Sequence, residues 1–433
     1  MNPTLQILFP TSLFHIRRFN IAENHSFRKP IRQHCGPAGG RATCRAGGCV
    51  PLSKDSVAGY NDPAMKNLLD GIEDVLLMGP GPSSVYPAVY QALSRSTLGY
   101  LDAYFIQIMD EIKALLQKLM KTGNELTLAI SGTGMAGMET CLVNLLEPGD
   151  AILILINGVF GTRMREIATR LGADVDVLEF EWGTPVQAEV VKEKLRERTY
   201  KLVAMVHAET STGVRNPAQE IGQLLKATES LYLLDAVTSL GGIEVDVDGW
   251  GVDALYSGSQ KCLSCPPGLS PVTFSGKAEK AIAGRKTKTP SFYLDIGLIG
   301  KYWGGEKRAY HHTAPMNMFY GLYQALLLVM EEGMEKVFTR HRKVHEKLVQ
   351  GLEEQGLELL VDQPFRLPML NAVRIPQGVE DAAGRSALRT KHKIEIGAGL
   401  GPLAGKIWRI GVMGHTAREE NVERLLSALR DVL

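Results

Sequence analysis

Lys261 closes Ser257-Gly258-Ser259-Gln260-Lys261, a loop of small and polar residues that follows the apolar run 254–257. Upstream, the apolar run 231–234 ends in Asp235, followed by Ala236 and Val237. Both residues leave a short hydrophobic segment at its carboxyl end. An amine and a carboxylate so placed match what pyridoxal phosphate asks of a protein. The amine condenses with the cofactor's aldehyde; the carboxylate faces the pyridine nitrogen and keeps it protonated, so that the ring draws electrons from the substrate. A lysine taken singly is most often solvated, and the pairing with Asp235 is what singles out Lys261.

A third segment, Ser131-Gly132-Thr133-Gly134-Met135, follows the run 126–130 and opens a helical stretch over 136–146. Backbone N–H groups at a helix start, joined by the Thr133 hydroxyl, seat a phosphate without a cationic side chain. A turn that merely joins strand to helix is the alternative. Gly132, Gly134 and Gly137 also satisfy G-x-G-x-x-G literally. Dinucleotide binding is disfavoured, because the acidic residue about twenty positions on, Asp150, precedes the next strand instead of ending it.

These groups need elements to place them. Apolar residues recur at helical spacing in 86–93 and in 105–120, the latter through Ile106, Met109, Ile112, Leu115 and Leu116. Short hydrophobic runs at 126–130, 151–156, 174–178, 201–207, 231–235 and 254–257, separated by helical stretches, predict buried parallel strands. The fold class is therefore α/β with a mostly parallel sheet. Ligands of such sheets bind beyond the carboxyl ends of the strands, where Lys261, Asp235 and Thr133 lie. Two helices over 316–337 and 340–357 follow, with a hinge nearby. A small pattern of strands at 370–373, 394–396 and 407–410 and a terminal helix from Thr416 complete the chain. A cofactor domain is expected at 76–332 and a smaller domain at 333–433, behind an arm at 55–75.

The 433 residues are 45% hydrophobic and 22% charged, with 48 Lys+Arg against 47 Asp+Glu, ordinary globular composition with room for two or three domains. This balance gives no electrostatic reason for a nucleic-acid or anionic-membrane partner. The longest aliphatic run, 151–156, is far short of the roughly 20 residues that span a bilayer. Residues 1–54 differ: Glu23 is their only acid, against Arg17, Arg18, Arg28, Lys29, Arg32, Arg41, Arg45 and Lys54. That fits a transit peptide, with an extension of no role as the alternative. Because the chain ends in Asp431-Val432-Leu433 and not Ser-Lys-Leu, a mitochondrial address is expected ahead of a peroxisomal or cytoplasmic one. Six cysteines are too few for a disulfide framework, so a reducing compartment is expected. No metal is expected: Cys35, Cys44 and Cys49 with His34 match no common zinc spacing, and the adjacent His311 and His312 should point to opposite sides of an extended segment. Cys262 and Cys265 form a CxxC without a redox context.

Over residues 74–433 the sequence resembles the class V, fold type I, pyridoxal-phosphate aminotransferases, and within them the branch of alanine–glyoxylate and serine–pyruvate enzymes. The likeness rests on Leu77-Met78-Gly79-Pro80-Gly81-Pro82-Ser83, Ile130-Ser131-Gly132-Thr133-Gly134, His207-Ala208-Glu209-Thr210-Ser211-Thr212-Gly213, Leu233-Leu234-Asp235, the stretch 256–261, Lys286-Thr287-Lys288, Ser291-Phe292-Tyr293-Leu294-Asp295, Tyr310-His311-His312-Thr313 and Arg409-Ile410-Gly411, and on their order. It implies a large domain with a mostly parallel sheet and a smaller C-terminal α+β domain. For Lys261 it implies covalent attachment of the cofactor and the proton shuttle, and for Asp235 the pyridinium contact. Phe160 falls where the family stacks an aromatic ring on the cofactor, usually Trp, and Val237 would cover the other face. Thr210 would hydrogen-bond the phenolic oxygen. Thr133, Gly134, Met135 and Gln260 would bind the phosphate with Tyr310 and Thr313 of a neighbouring subunit, which implies a homodimer. Arg409 would grip the substrate carboxylate, with Gly81 beside it. Met135 stands where relatives can carry His, which leaves only its backbone N–H for the phosphate.

The activity implied is transfer of an amino group from alanine or serine to glyoxylate or pyruvate, with serine–glyoxylate or (S)-ureidoglycine–glyoxylate transamination as the alternative. A class V desulfurase or lyase would need a nucleophilic cysteine in the C-terminal half, and none follows Cys265. A non-catalytic protein that keeps the cofactor fold is the remaining alternative.

Overall fold

The computed structural model describes residues 67–304 and 307–433; the basic segment 1–54 and most of the expected arm lie outside them. One sheet has seven strands: β1 (Leu126–Ser131), β2 (Ala151–Ile156), β3 (Asp174–Glu179), β4 (Leu202–Val206), β5 (Leu231–Asp235), β6 (Ala254–Tyr256) and β7 (Leu269–Phe274), in the order β1-β7-β6-β5-β4-β2-β3. β7 alone runs against the others. The carboxyl ends of the remaining six therefore share one edge, where the loops after β1, β5 and β6 deliver Thr133, Asp235 and Lys261.

Strand β7 has no counterpart in the sequence reading, because Pro271 sits in it and a proline argues against an inner strand. The fold compensates locally. The Pro271 carbonyl accepts the Ser257 N–H at 2.7 Å, and the Ser270 hydroxyl donates at 2.5 Å to the Ser257 carbonyl, the acceptor that Pro271 has no N–H to meet. The helix that follows β1, α1 (Gly134–Leu145), lies close over this point. A Cβ at Gly137 would stand 2.0 Å from Ser270 Oγ and 3.0 Å from Tyr256 Cβ. The third glycine of the literal G-x-G-x-x-G thus serves close helix-to-sheet packing.

Two long helices, α3 (Met316–Glu332) and α4 (Met334–Glu354), meet at Gly333, whose φ of +88° breaks the helical path. The break falls there instead of at 337–340, since Gly333 takes that conformation without strain. A second, antiparallel sheet holds β8 (Leu370–Arg374), β10 (Ile407–Gly411) and β9 (Gly397–Ala398) in that order. Its core joins Val344, Leu348 and Leu352 of α4 to Trp408, Ile410 and the terminal helix, and Met78 joins it too. Leu76–Leu77 pairs with Ile394–Glu395, so 76–78 belong to this second core and not to the large one.

His341 sits where α4 meets the turn after β10. Its Nδ1 donates to the Val337 carbonyl at 2.8 Å, and its Nε2 accepts the Gly414 N–H at 2.9 Å. Only the neutral ring can do both, and burial, with the Arg340 charge second, pulls its pKa to about 4. A histidine pKa lowered by folding makes the unfolded chain the better proton acceptor below about 6.5, so its contribution is full above that pH and is lost toward about 4. At about pH 5 the cost is about 2 kcal/mol relative to pH 7. His341→Gln is expected to flatten the fall in apoprotein stability between about pH 7 and pH 5 by that amount, measured by denaturant titration. Opposing carboxylate contributions, such as that of Asp235, are common to both proteins and cancel in the difference.

Candidate active site

Asp235 ends β5, a strand buried along its whole length. Val237 N–H donates to its Oδ1 at 2.8 Å and the Tyr256 hydroxyl to its Oδ2 at 2.6 Å. Burial nevertheless raises its pKa to about 7 against these two donors. A cation placed against such a carboxylate would favour the ionised form, the property a pyridinium nitrogen requires.

Lys261 is buried as well, and its Nζ donates to the Pro80 carbonyl. Burial lowers its pKa to about 8, so about a tenth of the amine is neutral, and nucleophilic, at pH 7. Gly81, at φ +104°, gives the lysine its room: a Cβ there would lie 2.5 Å from Nζ. Ser83 ties the same loop to the lysine segment, its N–H on the Gln260 carbonyl at 2.9 Å and its hydroxyl on the Lys261 carbonyl at 2.7 Å.

The phosphate cradle is equally well defined. Thr133 is the N-cap of α1, and its side chain makes no capping bond. The amides of Gly134 and Met135, in the first turn, have no acceptor in a preceding turn. Gly134 and Gly258 both pack on Val237, to which added Cβ atoms would approach within 3.1 and 3.4 Å. Beside them Gln260 Oε1 is buried without a partner. Met135 turns its side chain to Arg163, whose Nη1 lies 3.5 Å from Sδ, so only the backbone of Met135 faces this task. The two glycines and the open helix amides fit a phosphate, and Gln260 would add a donor through its Nε2 amide group, since its Oε1 can only accept.

Phe160 opens the helix after β2, α2 (Val159–Arg170), and the Arg163 guanidinium lies 5.1 Å from its ring centroid. Thr210 is buried, and its carbonyl accepts Arg409 Nη1 at 3.3 Å. Arg409, on β10, also donates from Nε to the Ala398 carbonyl at 2.6 Å. The guanidinium meets backbone carbonyls and no acid; burial pulls its pKa down to about 10, which leaves it charged. The loop 78–83 connects the two cations. Its Pro80 carbonyl takes Lys261, its Met78 carbonyl accepts the Gly411 N–H at 2.7 Å, and a Cβ at Gly397 would meet Pro80 Cδ at 2.4 Å.

The fold therefore gathers Lys261, Asp235, Val237, Gln260, Thr133, Gly134, Met135, Phe160, Thr210, Gly81 and Arg409 at one edge. It does not bring in Tyr310 and Thr313, which are hydrogen-bonded to each other at 3.2 Å on the surface, the tyrosine ring 4.7 Å from that of Tyr100. The histidines between them do not point apart. His311 and His312 meet Nδ1 to Nδ1 at 2.7 Å, His311 Nε2 lies 3.0 Å from the Phe292 carbonyl, and His312 Nε2 lies 2.7 Å from Ser131 Oγ. A carbonyl only accepts, so with both rings neutral His311 carries its proton on Nε2, His312 on Nδ1, and Ser131 donates to His312. This chain braces the start of the phosphate loop, which extended-chain alternation could not foretell. Tyr256 is a second residue the sequence reading passed over; its register opposite Asp235 on the neighbouring parallel strand is the signal. Glu209 is a third, fully buried within the quoted 207–213 motif. Among the described residues no group of three or more His, Cys, Asp or Glu could hold a metal ion.

The model of the family described as Aminotransferase class-V matches residues 83–425. The chain belongs to that family. An alanine–glyoxylate aminotransferase of Oryctolagus cuniculus is 43% identical over 361 residues, 83% of this chain and 92% of its own length. The (S)-ureidoglycine–glyoxylate transaminase of Bacillus subtilis is 40% identical over 375 residues, 82% of this chain and 90% of its own. A crystal structure of an alanine–glyoxylate aminotransferase from Nostoc sp. superposes with a TM-score of 0.81 at 45% identity, covering 85% of this chain and 99% of that one. This class V aminotransferase is a pyridoxal-phosphate enzyme of fold type I, and its buried amine, buried carboxylate and phosphate cradle suit that cofactor.

Proposed function

We propose that the protein transfers the amino group of alanine or serine to glyoxylate or pyruvate. The observation that carries this is the census of buried cations: among the described residues Lys261 and Arg409 are the only buried lysine and arginine. Lys261 is committed to the cofactor, which leaves one buried guanidinium, able to grip one carboxylate through a two-pronged contact. A dicarboxylate substrate would want a second such site. The relatives named for alanine–glyoxylate transamination support the small-substrate reading. The relative named for (S)-ureidoglycine supports the alternative donor.

Bound pyridoxal phosphate supplies an aldehyde and an electron-withdrawing ring. The residues do the rest. Lys261 would hold the cofactor and move the proton at the substrate Cα. Asp235 holds the proton on the ring nitrogen. Val237 and Phe160 would pack against the ring, Thr210 would hydrogen-bond its phenolic oxygen, and Thr133, Gly134, Met135 and Gln260 would seat the phosphate. Gly81 gives Lys261 clearance beside the substrate. A matrix of donors against acceptors with the purified, cofactor-loaded protein tests the reading. Activity confined to dicarboxylate donors would refute it, and preference for (S)-ureidoglycine would favour the alternative. Arg409→Lys is expected to lower kcat/KM for every productive pair by about 10–100-fold, mainly through KM, with cofactor capture unchanged.

The active unit in this proposal is a homodimer. Tyr310 and Thr313 lie on the surface, where Tyr100 meets Tyr310 and exposed Phe292 and Tyr293 meet His311, an aromatic patch of the kind that a partner covers. Tyr310 and Thr313 would then complete the phosphate site of the second copy. Analytical ultracentrifugation tests this, and a monomer that retains full activity would refute it. Import into mitochondria, proposed from the basic segment 1–54, is tested by the location of a full-length tagged protein against one lacking that segment.

A further inference from the structure

Glu209 is fully buried beside the site, yet no step above employs it. Its Oε1 accepts the Ser211 N–H at 3.0 Å and the Ser211 hydroxyl at 2.6 Å. Its Oε2 accepts the backbone N–H of Phe160 at 3.2 Å. Ser211 Oγ in turn accepts the Val159 N–H at 3.0 Å. The first amides of α2 are thus satisfied by a side-chain pair from the 207–213 segment. The helix has no cap of its own: Gly158 holds the N-cap position and carries no side chain. Gly158 is also what admits the acid, since a Cβ there would lie 2.4 Å from the Glu209 carboxyl carbon. A carboxylate at a helix N-terminus suits both the open N–H groups and the dipole. What it caps is the turn that carries Phe160.

We propose that Glu209 is a positioning residue of the cofactor site: by fixing the first turn of the α2 helix from outside, it sets the angle at which the Phe160 ring meets the pyridine ring. This rests on the reading that Phe160 stacks on the cofactor. The ring is held at two points, its backbone by Glu209 and its face by the Arg163 guanidinium. Phenylalanine offers a smaller stacking surface than tryptophan and has no ring N–H to anchor it, so its orientation depends on such supports. Glu209→Gln keeps the shape and removes the charge. A glutamine has one acceptor oxygen for donors that now sit on both carboxylate oxygens, so its NH₂ group must face either Phe160 N–H or the Ser211 pair, donor against donor.

The test is a double-mutant cycle read by pyridoxal-phosphate affinity of the apoprotein, from absorbance titration, and by the induced circular dichroism of the bound cofactor. Glu209→Gln is expected to weaken cofactor binding by about tenfold and to change the dichroic band. In a Phe160→Ala background the same substitution is expected to change affinity by less than about twofold, because the ring it positions is gone. Equal losses in both backgrounds, or no loss in either, would overturn the proposal. If Phe160→Ala alone leaves affinity unchanged, the stacking reading is what fails, and the proposal falls with it. Should Glu209→Gln not fold, Ser211→Ala replaces it in the cycle, with the same pattern expected at smaller amplitude and the same outcomes decisive.

Discussion

Lys261→Ala is expected to abolish the visible absorbance of the lysine-bound cofactor and to lower transaminase turnover by roughly four orders of magnitude or more. The size of the effect follows from the geometry. Among the described residues the lysine is the only buried amine, its Nζ is held to Pro80 by a hydrogen bond, and burial sets its pKa near 8. Among the described residues no second buried lysine stands ready to condense with the aldehyde or to carry the proton. Folding should survive, since the substitution removes an amine whose charge the interior disfavours, while Ser83 still ties the segment through backbone atoms. The check combines an absorbance spectrum, steady-state kinetics and a thermal unfolding curve. A variant that keeps the band, or works within about tenfold of the parent, would place the covalent anchor elsewhere. Externally added small amines should restore part of the proton transfer, because the pocket and the Asp235 carboxylate remain in place.

Much of this was legible in the sequence, for a physical reason. Inner parallel strands must be hydrophobic along their whole length, so β2, β4, β5 and β6 stand out as apolar runs, whereas β3, at the sheet edge, alternates acids with apolar residues and is only half-buried, against the buried strand expected there; Asp235 and Lys261 are conspicuous as the polar residues that end or follow β5 and β6. Strand β7 escaped because its pairing depends on a side chain, Ser270, covering the hydrogen bond that Pro271 cannot make. Gly137 completes a literal match to a nucleotide fingerprint, and its actual reason is hidden because a sequence shows a glycine's position and not the neighbour, here Ser270 Oγ, that forbids a Cβ. The His311–His312 contact and the Glu209 cap join residues far apart in the chain, Ser131 with His312 and Phe160 with Glu209. No local period encodes such pairs. The role of Tyr310 and Thr313 in a neighbouring copy follows from the resemblance, because a contact between subunits leaves no period in the sequence of one chain, where both residues lie on the surface.

Asp235→Asn is the sharpest test of how the site works once the cofactor is captured. The variant keeps Lys261, so the visible band should form, while kcat falls by about a thousandfold because an amide cannot stabilise a protonated pyridine nitrogen. The surroundings make asparagine worse than a neutral spectator. The Tyr256 hydroxyl and the Val237 N–H both donate to the carboxylate, one to each oxygen. An amide presents NH₂ to one of them: facing Val237 it sets donor against donor, and facing Tyr256 it obliges the phenol to accept and to turn its own proton away from the group it pairs with in the parent. The same substitution has a signature in stability that activity alone cannot mimic. Asp235 is a carboxyl whose pKa folding raises from 3.8 to about 7 through burial. In the apoprotein the unfolded chain therefore holds fewer protons over that window, and the group's stabilising contribution, full below about pH 4, is lost as the pH rises toward 7. The Asn variant lacks this loss. Its apoprotein should gain on the parent as the pH is raised from about 4 to 8, whereas with cofactor bound the order should reverse at neutral pH, because the parent's carboxylate then faces a cation. Unfolding midpoints of both proteins, with and without pyridoxal phosphate at the two ends of that range, decide it. A variant whose cofactor-bound form matches the parent in midpoint and in kcat would show that Asp235 does not touch the ring nitrogen.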